Sequence, residues 1–268
     1  MRPIPNVQAY LDAIAGIFAE TESSILSVIL FGSAAIGGFT GSVSDVDLIF
    51  VLADDTNRKD RGLLRNRILS LEVLHGLRAA PVRKGALKTI ADGLTAHESS
   101  FFICTRSDLL SGTPGRILGL PPSQAFFVDR TVIPGILSCS TTLHGEDLPH
   151  LVHPPPVRRF DVFKALFALL CQAHLSLMLF PLLPDATRYA METLKHSVRS
   201  CYFCYHARHA SLEEEVGFFQ ERAGPRVALQ QLLALRRDYR PSLAFALRCM
   251  PALIRLHWRT ALDNRWDS

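Results

Sequence analysis

Leu30-Phe31-Gly32-Ser33, then eleven intervening residues, then Asp45-Val46-Asp47-Leu48-Ile49, is the stretch on which the fold reading turns. The run 27–31 is short, apolar and β-branched and ends at Gly32, which reads as a buried strand with a glycine at its sharp exit. A second strand is predicted over 45–52, where Val46, Leu48, Phe50 and Leu52 alternate with Asp45, Asp47, Ile49 and Val51. Strand periodicity therefore sends both carboxylates out of one face, about 6–7 Å apart at the backbone. Side chains that lean together from such positions can share a hard cation such as Mg²⁺ through oxygen ligands. The glycine lets a ligand approach the backbone closely, and the serine adds a hydroxyl. A helix starting near Ser33 would turn free N–H groups toward the same place, which favours phosphate. Two plainer readings stand beside this one: Ser44-Asp45 as turn residues, and Asp47 as an acid met by a lysine or arginine instead of a metal.

These residues resemble the nucleotidyltransferase superfamily of DNA polymerase beta, the aminoglycoside nucleotidyltransferases and the minimal nucleotidyltransferases. The signature is apolar-Gly-Ser, a spacer of this length, then Asp-x-Asp within an apolar strand, and it covers residues 29–52. The resemblance implies an α+β fold: an N-terminal mixed sheet with flanking helices, then an all-α helical bundle. It implies Mg²⁺-dependent transfer of a nucleoside monophosphate, most often AMP from ATP, to a hydroxyl, with release of pyrophosphate. Asp45 and Asp47 would be catalytic metal ligands, and Gly32 and Ser33 would hold the nucleotide. A third carboxylate is expected on the next strand, read over 99–105; its place falls at Ser100, so Glu98, one strand step away, becomes the candidate. A regulatory or nucleotide-binding protein without turnover is the alternative, because the third acid is not evident.

Outward from the motif, residues 6–20 place Val7, Leu11, Ile14 and Phe18 at helical spacing, and 59–77 do so with Leu64, Ile68, Leu71 and Leu74 on the inner side. Pro154, Pro155 and Pro156 can continue neither a helix nor a central strand. The domain boundary is therefore set there, giving a catalytic domain over 1–153 and a helical domain over 154–268. Helical periodicity dominates the second, with helices predicted over 160–180, 187–209, 212–222, 226–237 and 242–262. In the second of these Arg188, Glu192, Lys195 and Arg199 form one polar stripe opposite Met191, Leu194 and Val198. Lys195 resembles the bundle lysine that reaches the triphosphate in such transferases, and it reads equally as a solvated lysine paired with Glu192.

Composition bounds the rest. With 48% hydrophobic and 20% charged residues the chain has side chains enough for sizeable cores, and its net charge of +4 is mild. The charge gathers at the end: nine arginines stand against four acids from Glu221 onward. The six cysteines lack the dense spacing of a secreted disulfide scaffold, which with the absence of an export signal suggests the cytoplasm. Cys201 and Cys204 with His206 and His209 sit on one predicted helix, which cannot easily wrap four ligands around zinc. The turn-like His144-Gly145-Glu146-Asp147 is read as a turn. The apolar run 163–183 approaches bilayer length but is broken by Lys164, Gln172 and His174, so no membrane partner is expected. The expected partners are an NTP and an acceptor that is a small molecule, a protein or an RNA end.

Overall fold

The computed structural model describes residues 6–21, 24–36, 46–78, 100–121, 125, 128–183, 186–222 and 225–263. Described residues within Met1–Gly85, Ser99–Ala125 and Cys139–Pro155 form one compact unit, and those within Phe126–Ser138 and Pro156–Ser268 form a second. The second unit thus takes in a short upstream segment before the chain returns to the first.

In the first unit, α1 (Val7–Glu20) is opened by Asn6, whose side chain accepts from the Ala9 N–H, and β1 (Ile25–Phe31) follows. A single turn, α2 (Gly32–Ala35), leads away from β1. Next come β2 (Asp47–Leu52), α3 (Arg58–Leu74) and β3 (Phe101–Thr105). Two short helices, α4 (Arg106–Leu110) and α5 (Pro114–Ile117), then precede β4 (Thr141–Gly145). The sheet order is β3-β2-β1-β4, with β1 antiparallel to both neighbours and β2 parallel to β3. This is the mixed sheet with flanking helices that the resemblance implies. One face packs Val28, Leu30, Leu48 and Phe50 against Tyr10 and Ile14 of α1 and Ile68 of α3.

Several details differ from expectation. Leu74, read as an inner residue, is exposed, because α3 ends there and the chain turns through His75 and Gly76. β4 was not foreseen: His144 and Gly145 end a strand rather than make a turn, and Gly145 is there because a Cβ would fall 2.1 Å from the Leu26 carbonyl oxygen. Thr105-Arg106-Ser107-Asp108 is a capping box that starts α4 immediately after β3.

In the second unit α6 (Val132–Ser138) comes first, and a helical bundle follows. Its members are α7 (Arg159–Leu179), α8 (Ala186–His206), α9 (Leu212–Glu221), α10 (Arg226–Arg237) and α11 (Leu243–Leu262). Met191, Leu194 and Val198 of α8 lie in a core shared with Leu229, Leu232, Phe245 and Leu253. The thiols of Cys201 and Cys249 are buried in it, and neither is in a disulfide. Among the described residues α7 is the one helix long and apolar enough to cross a membrane by length and composition, yet part of its surface packs on α8 and α11.

The α8–α11 seam buries a histidine. His257 Nδ1 lies 3.2 Å from the Leu253 carbonyl oxygen and 3.1 Å from Ser197 Oγ, and its buried Nε2 has no hydrogen-bond partner. Burial pulls this imidazole from its ordinary 6.5 down to about 4, against the opposing Leu253 bond. Between those values the unfolded chain binds a proton that the folded chain refuses, so stability is complete above pH 6.5 and declines as the pH falls toward 4. Replacing His257 by Asn removes this linkage. In urea titrations the stability gap between parent and His257→Asn should narrow by about 2–3 kcal/mol on going from neutral pH to about 4.5; an unchanged gap would show the imidazole titrates normally.

Candidate nucleotide site

The candidate site is built where β1 ends and β2 begins. Antiparallel register sets Phe31 opposite Asp47, Ile29 opposite Ile49 and Ser27 opposite Val51, so these residues share one face of the sheet. That face is apolar: Ile49 and Val51 are buried, Phe31 stacks on Phe102 with ring centroids 6.1 Å apart, and Phe102 pairs in register with Ile49. β2 is thus buried on both faces along its length except at Asp47, its first residue, which is half-buried. A carboxylate at the end of such a strand keeps access to solvent and ligand, whereas two residues further on its desolvation would be prohibitive.

Gly32 follows Phe31 with φ of +72°, and a Cβ built there would lie 2.3 Å from Asp47 Oδ2. Both the backbone turn and the carboxylate require glycine at this position. The pair from the sequence motif is therefore a physical contact: the missing side chain of Gly32 makes the space that the Asp47 carboxylate fills. Ser33 takes the next position of the one-turn helix α2. Asp45, Glu98 and the Ser33 side chain lie outside what the structure describes. Among the described residues no group of three or more His, Cys, Asp or Glu side chains converges as a metal site. The oxygen chemistry of Asp47 and the cradle at Gly32 fit a Mg²⁺–phosphate ligand.

The next strand supplies a serine where the resemblance expects an acid. Leu48 N–H donates to the Ser100 carbonyl at 3.0 Å, which places Ser100 one step before the Leu48–Phe101 pair. Its hydroxyl hydrogen-bonds Glu72 of α3, and the other Glu72 oxygen accepts from Arg78 Nε at 2.6 Å. Glu72 is 2% exposed and the Arg78 side chain 31%, so a buried carboxylate is met by a serine and by an arginine that keeps contact with solvent. The sequence reading missed it, although Glu72 follows Ile68 at helical spacing on the inner stripe of α3, where a carboxylate must find a partner.

In the second unit Lys195 forms an ion pair with Glu192, one turn before it on α8, and both are mostly buried. Arg188 stacks over Tyr239, with its guanidinium carbon 4.6 Å from the ring centroid, and Arg199 Nε lies 3.9 Å from the buried Glu215. The polar stripe of α8 is thus a paired surface. The structure also shows a carboxylate the sequence gave no sign of. Asp129 accepts from Thr131 N–H at 2.9 Å, Thr131 Oγ1 at 2.6 Å and the Ser200 hydroxyl, and burial raises its pKa against those bonds. It fastens the 128–131 segment to α8.

Residues 11–82 match the family model described as Nucleotidyltransferase domain. No curated protein matches the chain. Among solved structures the fold resembles that of spectinomycin adenyltransferase AAD(9) from Enterococcus faecialis, solved with ATP and spectinomycin. The TM-score is 0.55 and the identity 11%, covering 93% of this chain and 98% of the other.

Gly32→Ala would force a side chain into both a left-handed backbone and the Asp47 carboxylate. It should lower stability by about 2 kcal/mol or more and displace Asp47. A melting curve unchanged from the parent's would contradict the contact. The match over 11–82 makes the N-terminal part of the chain a nucleotidyltransferase domain, and the described residues beyond it end in a helical region.

Proposed function

We propose that this protein transfers a nucleoside monophosphate, AMP from ATP, to a hydroxyl of a small-molecule acceptor and releases pyrophosphate. The single observation that carries the reading is the Gly32–Asp47 contact, which joins the two halves of the motif at the one unburied end of β2. The family match over 11–82 supports nucleotidyl chemistry, and the solved neighbour that holds ATP and spectinomycin supports a small acceptor over a protein or an RNA end.

In this reading Asp47, with Asp45, holds Mg²⁺. The ion when bound neutralises charge on the triphosphate and favours departure of pyrophosphate. Gly32 and the N–H groups of α2 lie against the phosphates, which no side chain at position 32 obstructs. The resemblance proposes Lys195 for the triphosphate; in the structure its ammonium is paired with Glu192. The acceptor oxygen bonds to the α-phosphorus as the bond to the bridging α–β oxygen breaks. The acceptor's proton passes to Glu98, the proposed third acid. Holding the two reactants in line supplies most of the acceleration.

Ser100 favours a second reading. It occupies the place expected for the third acid and is tied to Glu72, as in a domain that binds Mg–ATP without turnover. Titration calorimetry and pyrophosphate release across a panel of hydroxylated acceptors, spectinomycin included, separate the two. We expect Asp47→Asn and Asp45→Asn each to weaken Mg–ATP binding at least about tenfold, worth some 1.4 kcal/mol, without unfolding the chain. Parent-like binding by both variants would end the metal-clamp reading. For Glu98→Gln we expect lost turnover with retained binding; an unchanged rate removes Glu98 from the chemistry. Tight binding with no release for any acceptor would favour the second reading.

A further inference from the structure

The helical unit turns an unusual surface outward. Along α7, Phe160, Phe167 and Met178 are 70%, 59% and 64% exposed, and Cys171 and His174 lie exposed between the last two. Along α11, Leu243, Leu247, Ile254, Trp258 and Leu262 are all exposed. The two helices pack on each other, and the Phe163 and Trp258 rings meet edge to face at 6.0 Å, so the two apolar stripes adjoin at that seam. Contiguous exposed apolar surface of this kind marks an interaction face.

Charge identifies what covers it. α7 and α11 together contain one carboxylate, Asp161, which is buried. The exposed residues of the same helices include Arg248, Arg255 and Arg259, the last of which donates to the Arg222 carbonyl oxygen. A second copy set face to face would bring guanidiniums together with no acid from these helices to meet them. The depression lined by Pro251, Ile254, Arg255, Trp258 and Arg259 is formed by α11 and sets arginines beside apolar side chains. Large apolar side chains, a tryptophan and an excess of arginine over acid are the pattern of a helix face that lies in the plane of an anionic membrane interface. Trp258 has the apolar body and N–H that suit the headgroup level.

We propose that the α7–α11 face docks on an anionic lipid surface, with the apolar residues entering the acyl boundary and the arginines meeting lipid phosphates. The chain is held on the membrane by one face and does not cross it, which departs from the sequence expectation of no membrane partner. The proposal stands apart from the nucleotide site.

The test mixes the full chain with vesicles of phosphatidylcholine, with or without phosphatidylglycerol, and measures the bound fraction by sedimentation. We expect binding only to the phosphatidylglycerol vesicles, weakening as salt rises, with a blue shift of tryptophan emission that Trp258→Phe abolishes. The double variant Arg248→Glu/Arg255→Glu, both sites exposed, should bind at least about tenfold more weakly, and Trp258→Ser should also lose affinity, while Mg–ATP affinity stays at the parent's value. The proposal is overturned by failure to sediment with either vesicle, or by equal binding to both. Variants that bind like the parent would overturn it too. So would a dimer in analytical ultracentrifugation that Trp258→Ser dissociates, which would assign the face to a second copy.

Discussion

The contact between Gly32 and Asp47 is the constraint on which the candidate site depends. β2 is clamped between an apolar layer of α1 and α3 on one face and Phe31, Phe102 and neighbouring residues on the other, so a charge is tolerable only at its exposed beginning. The carboxylate there needs space, and the space exists because the residue that ends β1 is followed by one without a side chain. Everything proposed for the chemistry is anchored to that point. The short helix α2 begins at the same glycine, so one backbone turn both clears the carboxylate and presents the start of a helix.

The buried acids of the two units do a different kind of work. Glu72 with Arg78 and Ser100, Asp129 with Thr131 and Ser200, and Glu215 with His209 and the Ala210 N–H each join chain segments that apolar packing alone would leave free to slide. A carboxylate removed from water must be met by donors in a fixed arrangement, which is why such groups specify a geometry more than they add stability. His257 belongs to the same class on the neutral side: burial keeps it uncharged, so the α8–α11 seam is sensitive to acid. The outward face of the bundle reverses the usual order, with apolar side chains and arginines outside while Asp161 and Glu215 lie within.

Hydrophobic patterning, with the glycine that ends β1, located the sheet's first three strands, α1, α3 and the five long helices of the second unit. Gly-Ser and Asp-x-Asp at their spacing carry the resemblance to the nucleotidyltransferase superfamily, and the domain match over 11–82 agrees with it. Only the tertiary structure decided the rest. β4 escaped notice because Thr141–Gly145 is half exposed and lacks an apolar run, so it exists through pairing with β1 and not through its own pattern. Leu74 left the core because α3 stops at it. Ser100 and Glu72, 28 residues apart, and Asp129 and Ser200, 71 apart, became partners only when the chain closed on itself. A local pattern records which side of an element is apolar, whereas the partner of a buried charge is fixed by packing between segments that the pattern never relates.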